Sequence, residues 1–320
     1  MVLRHRYQHV HVYFSGWVTF LVPLASKLLG KKASFTMTLL DSDDPENIGK
    51  TTMAAWKLRL FRMYDRVIYI NPEQADRYER TYGTRDPLIP GSMGIDLEAF
   101  QPCSPDEKLA ARRELGIGED ALVAAFTGSV IHRKGIDVAV EIWLRVVERE
   151  PRALFVVLGA SQSSSPPDGG FFGELERRIT SSGKRDHFKF LWSPPSVSAV
   201  LRLLRAADIF LFPSRNEGTP SAVMEAMACG VVPVITPLTG FANVVVRDQV
   251  EGLVLQPEAG PGAAAQRVIG LLDDIDRRRH MAKMARERVH ATHSQDLAVA
   301  ALRRAWESPA LDDLCGTGRP

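Results

Sequence analysis

Short apolar runs alternate with longer stretches in which apolar residues recur every three or four positions, the pattern of successive βαβ units. The runs His9–Phe14, Ala33–Leu39, Arg66–Ile70, Leu122–Thr127, Leu154–Leu158, Phe188–Trp192, Ile209–Phe212 and Val232–Thr236 read as strands. Several are apolar on successive residues, which predicts strands covered on both faces, as in a parallel sheet. A cluster of breakers (Pro87, Pro90, Gly91, Gly94, Pro102 and Pro105) separates two series of such units. The expected division is therefore a first α/β domain over 1–105 and a second over 106–295. A helical stretch, Asp273 to Trp306, closes the chain; its part over 296–309 is expected to pack back on the first domain. A polar loop at Gln162–Gly170 and a disordered tail at 310–320 complete the expectation.

Composition narrows the function. At roughly 100–200 residues per domain, the 320 residues suit two domains. A net charge of +2, with no block of like charge, argues against a nucleic-acid partner. Cys103, Cys229 and Cys315 are few and scattered, which fits a reducing compartment and offers no zinc spacing. No uninterrupted apolar stretch follows the charges of the first ten residues, so no signal peptide is expected. Val18–Leu29 is apolar but is broken by Pro23, Ser26 and Lys27, short of a membrane span. A helix there, leaving Lys31 and Lys32 at its end, could touch an anionic membrane; a core-facing helix is the simpler reading. The expectation is a cytoplasmic chain with, at most, peripheral contact at the inner face of the membrane.

Two stretches carry the chemistry. In Asp208–Gly230 a buried strand ends at Phe212, and a loop leads to a helix with Thr219 as N-cap and Pro220 at its first position. Ligands in open α/β sheets sit outside the carboxyl ends of the strands, which places Glu217, Gly218 and Thr219 in the crevice. Backbone N–H groups and the helix dipole there suit a diphosphate. Glu225 lies about two turns further on, so the two carboxylates would meet different hydroxyl groups of one ligand. The plainer alternative is a capped surface helix with two incidental glutamates. In Leu122–Asp137 a buried strand ends at the Gly128-Ser129 turn, followed by Arg133-Lys134 before Gly135. A fixed cation at a departing diphosphate stabilises the transition state more than the ground state. Taken alone, these two would read as solvated surface charges.

Together the residues resemble the retaining glycosyltransferases of family 4, also called group 1. The matches are Gly128, Lys134-Gly135, Glu217-Gly218, Pro220 and Glu225-Ala226-Met227-Ala228-Cys229-Gly230. Gly94-Ile95-Asp96 with Phe100, Ala207-Asp208, Gly240 and Gly252-Leu253-Val254 follow in the same order. The resemblance implies two Rossmann-like domains facing across a cleft, the GT-B arrangement. It implies Lys134 and Arg133 on the donor diphosphate, with Glu217 and the backbone of Gly218 and Thr219 on the donor sugar. Glu225 would take the ribose, Lys134 and Glu217 would serve catalysis, and no metal or other cofactor is required. Two departures stand out. Ser129 occupies a position where many members carry an arginine, so Arg133 would substitute. Leu39-Leu40-Asp41-Ser42-Asp43 stands where a His-Gly is common. The first domain also looks short beside the family, as if truncated or completed by a partner chain.

Asp41-Ser42-Asp43 could be a metal-nucleotide triplet, although it also suits a turn before a helix. His9 and His11 share a strand face, without an evident third metal ligand. The expected function is glycosyl transfer from an NDP-sugar, with retention, to a saccharide or lipid-linked acceptor in cell-surface polysaccharide or lipopolysaccharide synthesis. The alternatives are a partner-dependent, non-catalytic NDP-sugar-binding subunit and an epimerase-like NDP-sugar enzyme of the same fold.

Overall fold

The computed structural model describes residues 7–13, 16–160, 170–193 and 196–307. Phe14, most of the loop at 162–170, positions 308–309 and the tail at 310–320 lie outside them. The chain divides into two compact units, Met1–Gly94 with His293–Pro320 and Ile95–Thr292. The first division falls ahead of the expected boundary at 105.

The first unit runs β1 (His9–Tyr13), α1 (Trp17–Leu28), β2 (Lys32–Met37), α2 (Pro45–Ile48), α3 (Ala54–Phe61), β3 (Arg66–Tyr69), α4 (Pro72–Tyr82) and β4 (Leu88–Pro90). The strands form one parallel sheet in chain order, with Phe35 of β2 opposite Val67 of β3. Phe35, Phe61, Tyr64 and Tyr78 anchor its core, Phe35 and Phe61 meeting edge to face at 5.2 Å. α4 starts where the sequence chemistry puts it: the Asn71 side chain accepts from the Glu73 N–H at 3.0 Å, and Pro72 fills the first helical position. α1 buries Phe20, Pro23 and Ser26 along one stripe and exposes Trp17, Val18, Leu21, Leu24 and Leu28 on the other. It is therefore core-facing along only one side. No helix among the described residues is long and apolar enough to cross a membrane.

The second unit runs α5 (Pro105–Glu114), β5 (Leu122–Gly128), α6 (Ile136–Arg149), β6 (Ala153–Ala160), α7 (Gly170–Ser181), β7 (Phe188–Ser193), α8 (Val197–Ala206), β8 (Ile209–Phe212), α9 (Ser221–Ala228), β9 (Val232–Ile235), β10 (Leu253–Val254), α10 (Gly260–Asp273) and α11 (Ile275–Thr292). Its parallel sheet has the order β10-β9-β8-β5-β6-β7. Every residue of β8 and β9 is buried, which accounts for their unbroken apolar sequences. From β5 the chain runs outward through β6 and β7. It then returns to β8 on the other edge of β5, pairing Ala124 with Ile209. The order reverses at this β5–β8 junction, and there the carboxyl ends open a crevice. Asp208, just before β8, accepts from Lys108 (2.7 Å), Arg112 (2.9 Å) and the Val123 N–H (2.8 Å), fastening α5 to both central strands.

The helical stretch expected over Asp273–Trp306 proves to be the end of α10, then α11 and α12 (Gln295–Glu307), the last packing on β2, β3 and β4. Asp274 leaves helical geometry (φ −102, ψ 90) and its carboxylate accepts from the Arg277 N–H at 2.9 Å. The Ser294 hydroxyl likewise accepts from the Leu297 N–H at 3.4 Å. Apolar periodicity continues through both breaks, so only the caps reveal them.

Candidate donor site

The turn after β5 and the loop after β8 are built as one piece. After Ser129, which is exposed, a tight turn at His132–Lys134 ends on Gly135 with φ +69. A Cβ on Gly135 would lie 1.8 Å from the Pro213 carbonyl oxygen, so only glycine permits this backbone approach. Lys134 Nζ then reaches Glu217 Oε1 at 2.7 Å, and Arg133 Nη1 reaches the same oxygen at 3.0 Å. Arg133 also donates to the Asn216 carbonyl at 2.8 Å. The fully buried Ser214 donates to Glu217 Oε1 at 2.8 Å, and the Thr236 hydroxyl donates to the Ser214 carbonyl. Glu217 is 7% exposed. Lys134 Nζ also stands 5.1 Å from the centroid of the Phe212 ring, within cation–π range. Two cations against one carboxylate leave the junction with one net positive charge. An oxyanion would meet a cationic turn already held in place, at the carboxyl ends of the two central strands.

Glu225 projects from α9 with a different environment. Among the described residues it makes no side-chain hydrogen bond or ion pair, and burial pushes its carboxyl above its ordinary value. The helix does not start as the sequence suggested. Its N-cap is Pro220, whose carbonyl accepts from the Val223 N–H at 3.0 Å, and the first helical residue is Ser221. Thr219 is thus a buried loop residue rather than the cap: Pro220, with ψ 101, is still extended, so the helix begins one residue late. Gly218 and Thr219 both have partners within the protein.

The weaker signals resolve into structural roles. Asp43 is buried and accepts from the Thr38 N–H (3.0 Å), the Thr38 hydroxyl (2.6 Å) and the Leu39 N–H (3.2 Å). Asp41 pairs with Arg77 at 2.5 Å, and Asp44 caps α2 through the Asn47 N–H. His9 and His11 bond to Ser34 at 2.7 and 2.6 Å, and His11 also bonds to Thr36. Burial, then the neighbouring His9, lowers His11 to a pKa of about 4, so it is neutral at physiological pH.

Sequence reasoning missed the residues that join the two loops. Arg215 forks onto Asp137 at 2.8 and 2.7 Å and donates to the His132 carbonyl at 2.6 Å. Its backbone N–H reaches the Arg133 carbonyl at 2.9 Å. No periodicity pairs residue 137 with residue 215; only the adjacency of β5 and β8 does.

The profile of the glycosyl transferases group 1 matches residues 107–288. The chain belongs to that family. It is 33% identical to a D-inositol 3-phosphate glycosyltransferase of Actinosynnema mirum, over 77% of this chain and 59% of the relative. A second D-inositol 3-phosphate glycosyltransferase, from Catenulispora acidiphila, is 31% identical over 96% of this chain and 71% of its own length. A GDP-mannose-dependent phosphatidylinositol monomannoside mannosyltransferase of Corynebacterium glutamicum is 29% identical over 73% of this chain and 59% of the relative. Among solved structures, Anabaena HepE in complex with UDP-glucose superposes with a TM-score of 0.75 at 17% identity, over 93% of this chain and 77% of the other. The fold is thus the α/β arrangement of two Rossmann-like domains found in GT-B glycosyltransferases.

Proposed function

We propose that the second unit binds the diphosphate of a nucleotide-sugar and that the chain transfers the glycosyl group, with retention, to a hydroxyl of a saccharide, polyol-phosphate or lipid-linked acceptor. The family 4 mechanism and a place in surface-glycan assembly belong to the same proposal. The observation that carries it is the convergence of Arg133 and Lys134 on Glu217 at the β5–β8 junction, with both cations within 3.0 Å of Glu217 Oε1. In this reading Lys134, with Arg133, takes the diphosphate and neutralises the charge that develops as the bond to the sugar breaks. Ser129, directly after β5, belongs to the same donor-binding set. Glu217 directs Oε1 at the cations, and Oε2, which carries none of those contacts, accepts from the donor sugar. Gly218 and Thr219 line the sugar, and Glu225 accepts from the ribose. The acceptor hydroxyl attacks from the face the diphosphate leaves, and a departing phosphate oxygen takes its proton. Peripheral work at the inner membrane face suits a lipid-linked acceptor.

The test is turnover of UDP-glucose and of GDP-mannose by wild type and by Lys134→Ala, with acceptor present. Removing a preorganised transition-state donor costs on the order of 10²–10³ in rate. Arg133 and Ser214 still hold Glu217, so the variant should melt close to wild type. Wild-type turnover by Lys134→Ala refutes the assignment. Release of free nucleoside diphosphate only on addition of acceptor separates transfer from epimerisation.

A further inference from the structure

The cations of the donor site stand on one side of the β5–β8 junction and its carboxylate on the other. What fixes the distance between them is not itself part of the site. Arg215 and Asp137 span the two segments with a two-point fork at 2.8 and 2.7 Å, a geometry that fixes orientation as well as separation. Asp137 lies in the first turn of α6, two residues beyond Gly135. Arg215 lies two residues before Glu217 and also holds the carbonyls of His132 and Arg133. The turn that presents Arg133 and Lys134 is therefore gripped at both ends by one arginine.

We propose that the Arg215–Asp137 fork is a clasp that sets the spacing of the diphosphate-binding turn against the Glu217 loop, making both positioning residues for the donor. The proposal rests on the reading of Arg133, Lys134 and Glu217 as the donor site. Three observations support an indirect role. Among the described residues Arg215 makes no hydrogen bond or ion pair with Glu217, and its charge is answered by Asp137, so it adds little net field to the site. Burial pushes the Asp137 carboxyl up, but the Arg215 hydrogen bond and charge outweigh it and hold the carboxyl below its ordinary value. The pair is therefore ionised throughout the neutral range. Finally, the side chains are 37% and 23% exposed, so solvent screens the pair and discounts what its charge attraction contributes to global stability.

The experiment measures affinity for UDP and GDP by calorimetry, with melting curves, for Lys134→Ala, Arg215→Ala, Arg215→Lys, Asp137→Asn and the double variant Arg215→Ala/Asp137→Asn. Misplacing reacting groups by about an ångström can cost about a hundredfold in rate; for binding alone, a turn loosened by the loss of a charge-assisted fork should cost about tenfold. Arg215→Ala and Asp137→Asn should each lose that much, the double variant no more than either, and Arg215→Lys should recover part. Sub-additivity of this kind marks two residues acting as one unit. Full affinity in Arg215→Ala, with Lys134→Ala weakened, overturns the clasp and leaves the donor site standing. Loss in Arg215→Ala but not in Asp137→Asn also overturns it, since that result makes Arg215 a direct ligand. Full affinity in Lys134→Ala sinks the donor-site reading itself. If Arg215→Ala does not fold, Asp137→Asn, which keeps the side-chain shape, decides alone: wild-type affinity there refutes the proposal.

Discussion

Glu225→Gln should make the protein more stable and a poorer binder of nucleotide. Among the described residues the Glu225 carboxylate has no hydrogen-bond or ion-pair partner, and burial raises its pKa above the ordinary value of 4.5. A raised folded-state pKa means that the native state holds this proton more tightly than the unfolded chain. Its contribution to stability is then present below 4.5 and is lost as pH rises through the folded value. At neutral pH the charge is a cost, and glutamine of nearly the same shape removes it. A ribose hydroxyl donating to that lone carboxylate would make a charge-assisted hydrogen bond, of which about 1.5–3 kcal/mol is realised. Glutamine keeps a neutral acceptor, and neutral bonds are roughly half as strong. About 1 kcal/mol should be lost, which is roughly fivefold in affinity. Calorimetry with UDP and GDP gives the affinity, and melting curves between pH 4 and pH 8 give the stability. The melting advantage of Glu225→Gln should vanish at the acid end. A variant that binds nucleotide as wild type does removes Glu225 from the ribose. One that melts lower than wild type at pH 8 refutes the account of its burial.

Two further outcomes follow from the same geometry. Asp208→Ala strands the buried Arg112 without its carboxylate, which should cost about 3–5 kcal/mol and read as a large drop in melting temperature; a drop of under two degrees would contradict the fastening role. Chelation with EDTA should leave UDP and GDP affinity unchanged if, as proposed, Arg133 and Lys134 supply the positive field; a loss restored by manganese would reinstate the Asp41/Asp43 triplet as a metal site.

Eight strands were legible, most plainly those buried on both faces, such as β8 and β9, which write themselves as unbroken apolar runs. β4 and β10 were not, being three and two residues long, and β4 carries prolines at its edge. The candidate site was legible in its parts. Glu217 and Arg133-Lys134 each fell at a strand's carboxyl end, where a ligand crevice opens. Their meeting was not, since nothing local tells that β8 returns to the free edge of β5. Thr219 misled for a local reason: threonine before proline reads as a cap, yet Pro220 itself takes that position. The Asp-x-Asp triplet misled because spacing does not show whether carboxylates are consumed by their own turn, as Asp43 is.

The return of β8 to β5 also orders events in folding. The cations follow β5 and can be in place once β5 and β6 have paired, a contact between neighbours in the chain. The carboxylate arrives only after two intervening strands, when β8 docks across a much longer loop, whose closure is the slower kind of step. On the proposed reading a nucleotide would recognise only the finished junction, so its binding would draw the population toward chains in which that last docking is complete. Saturating ligand at a hundred times its dissociation constant would contribute about 2.7 kcal/mol to that state. The substrate would then act late, as a latch on the fold that receives it.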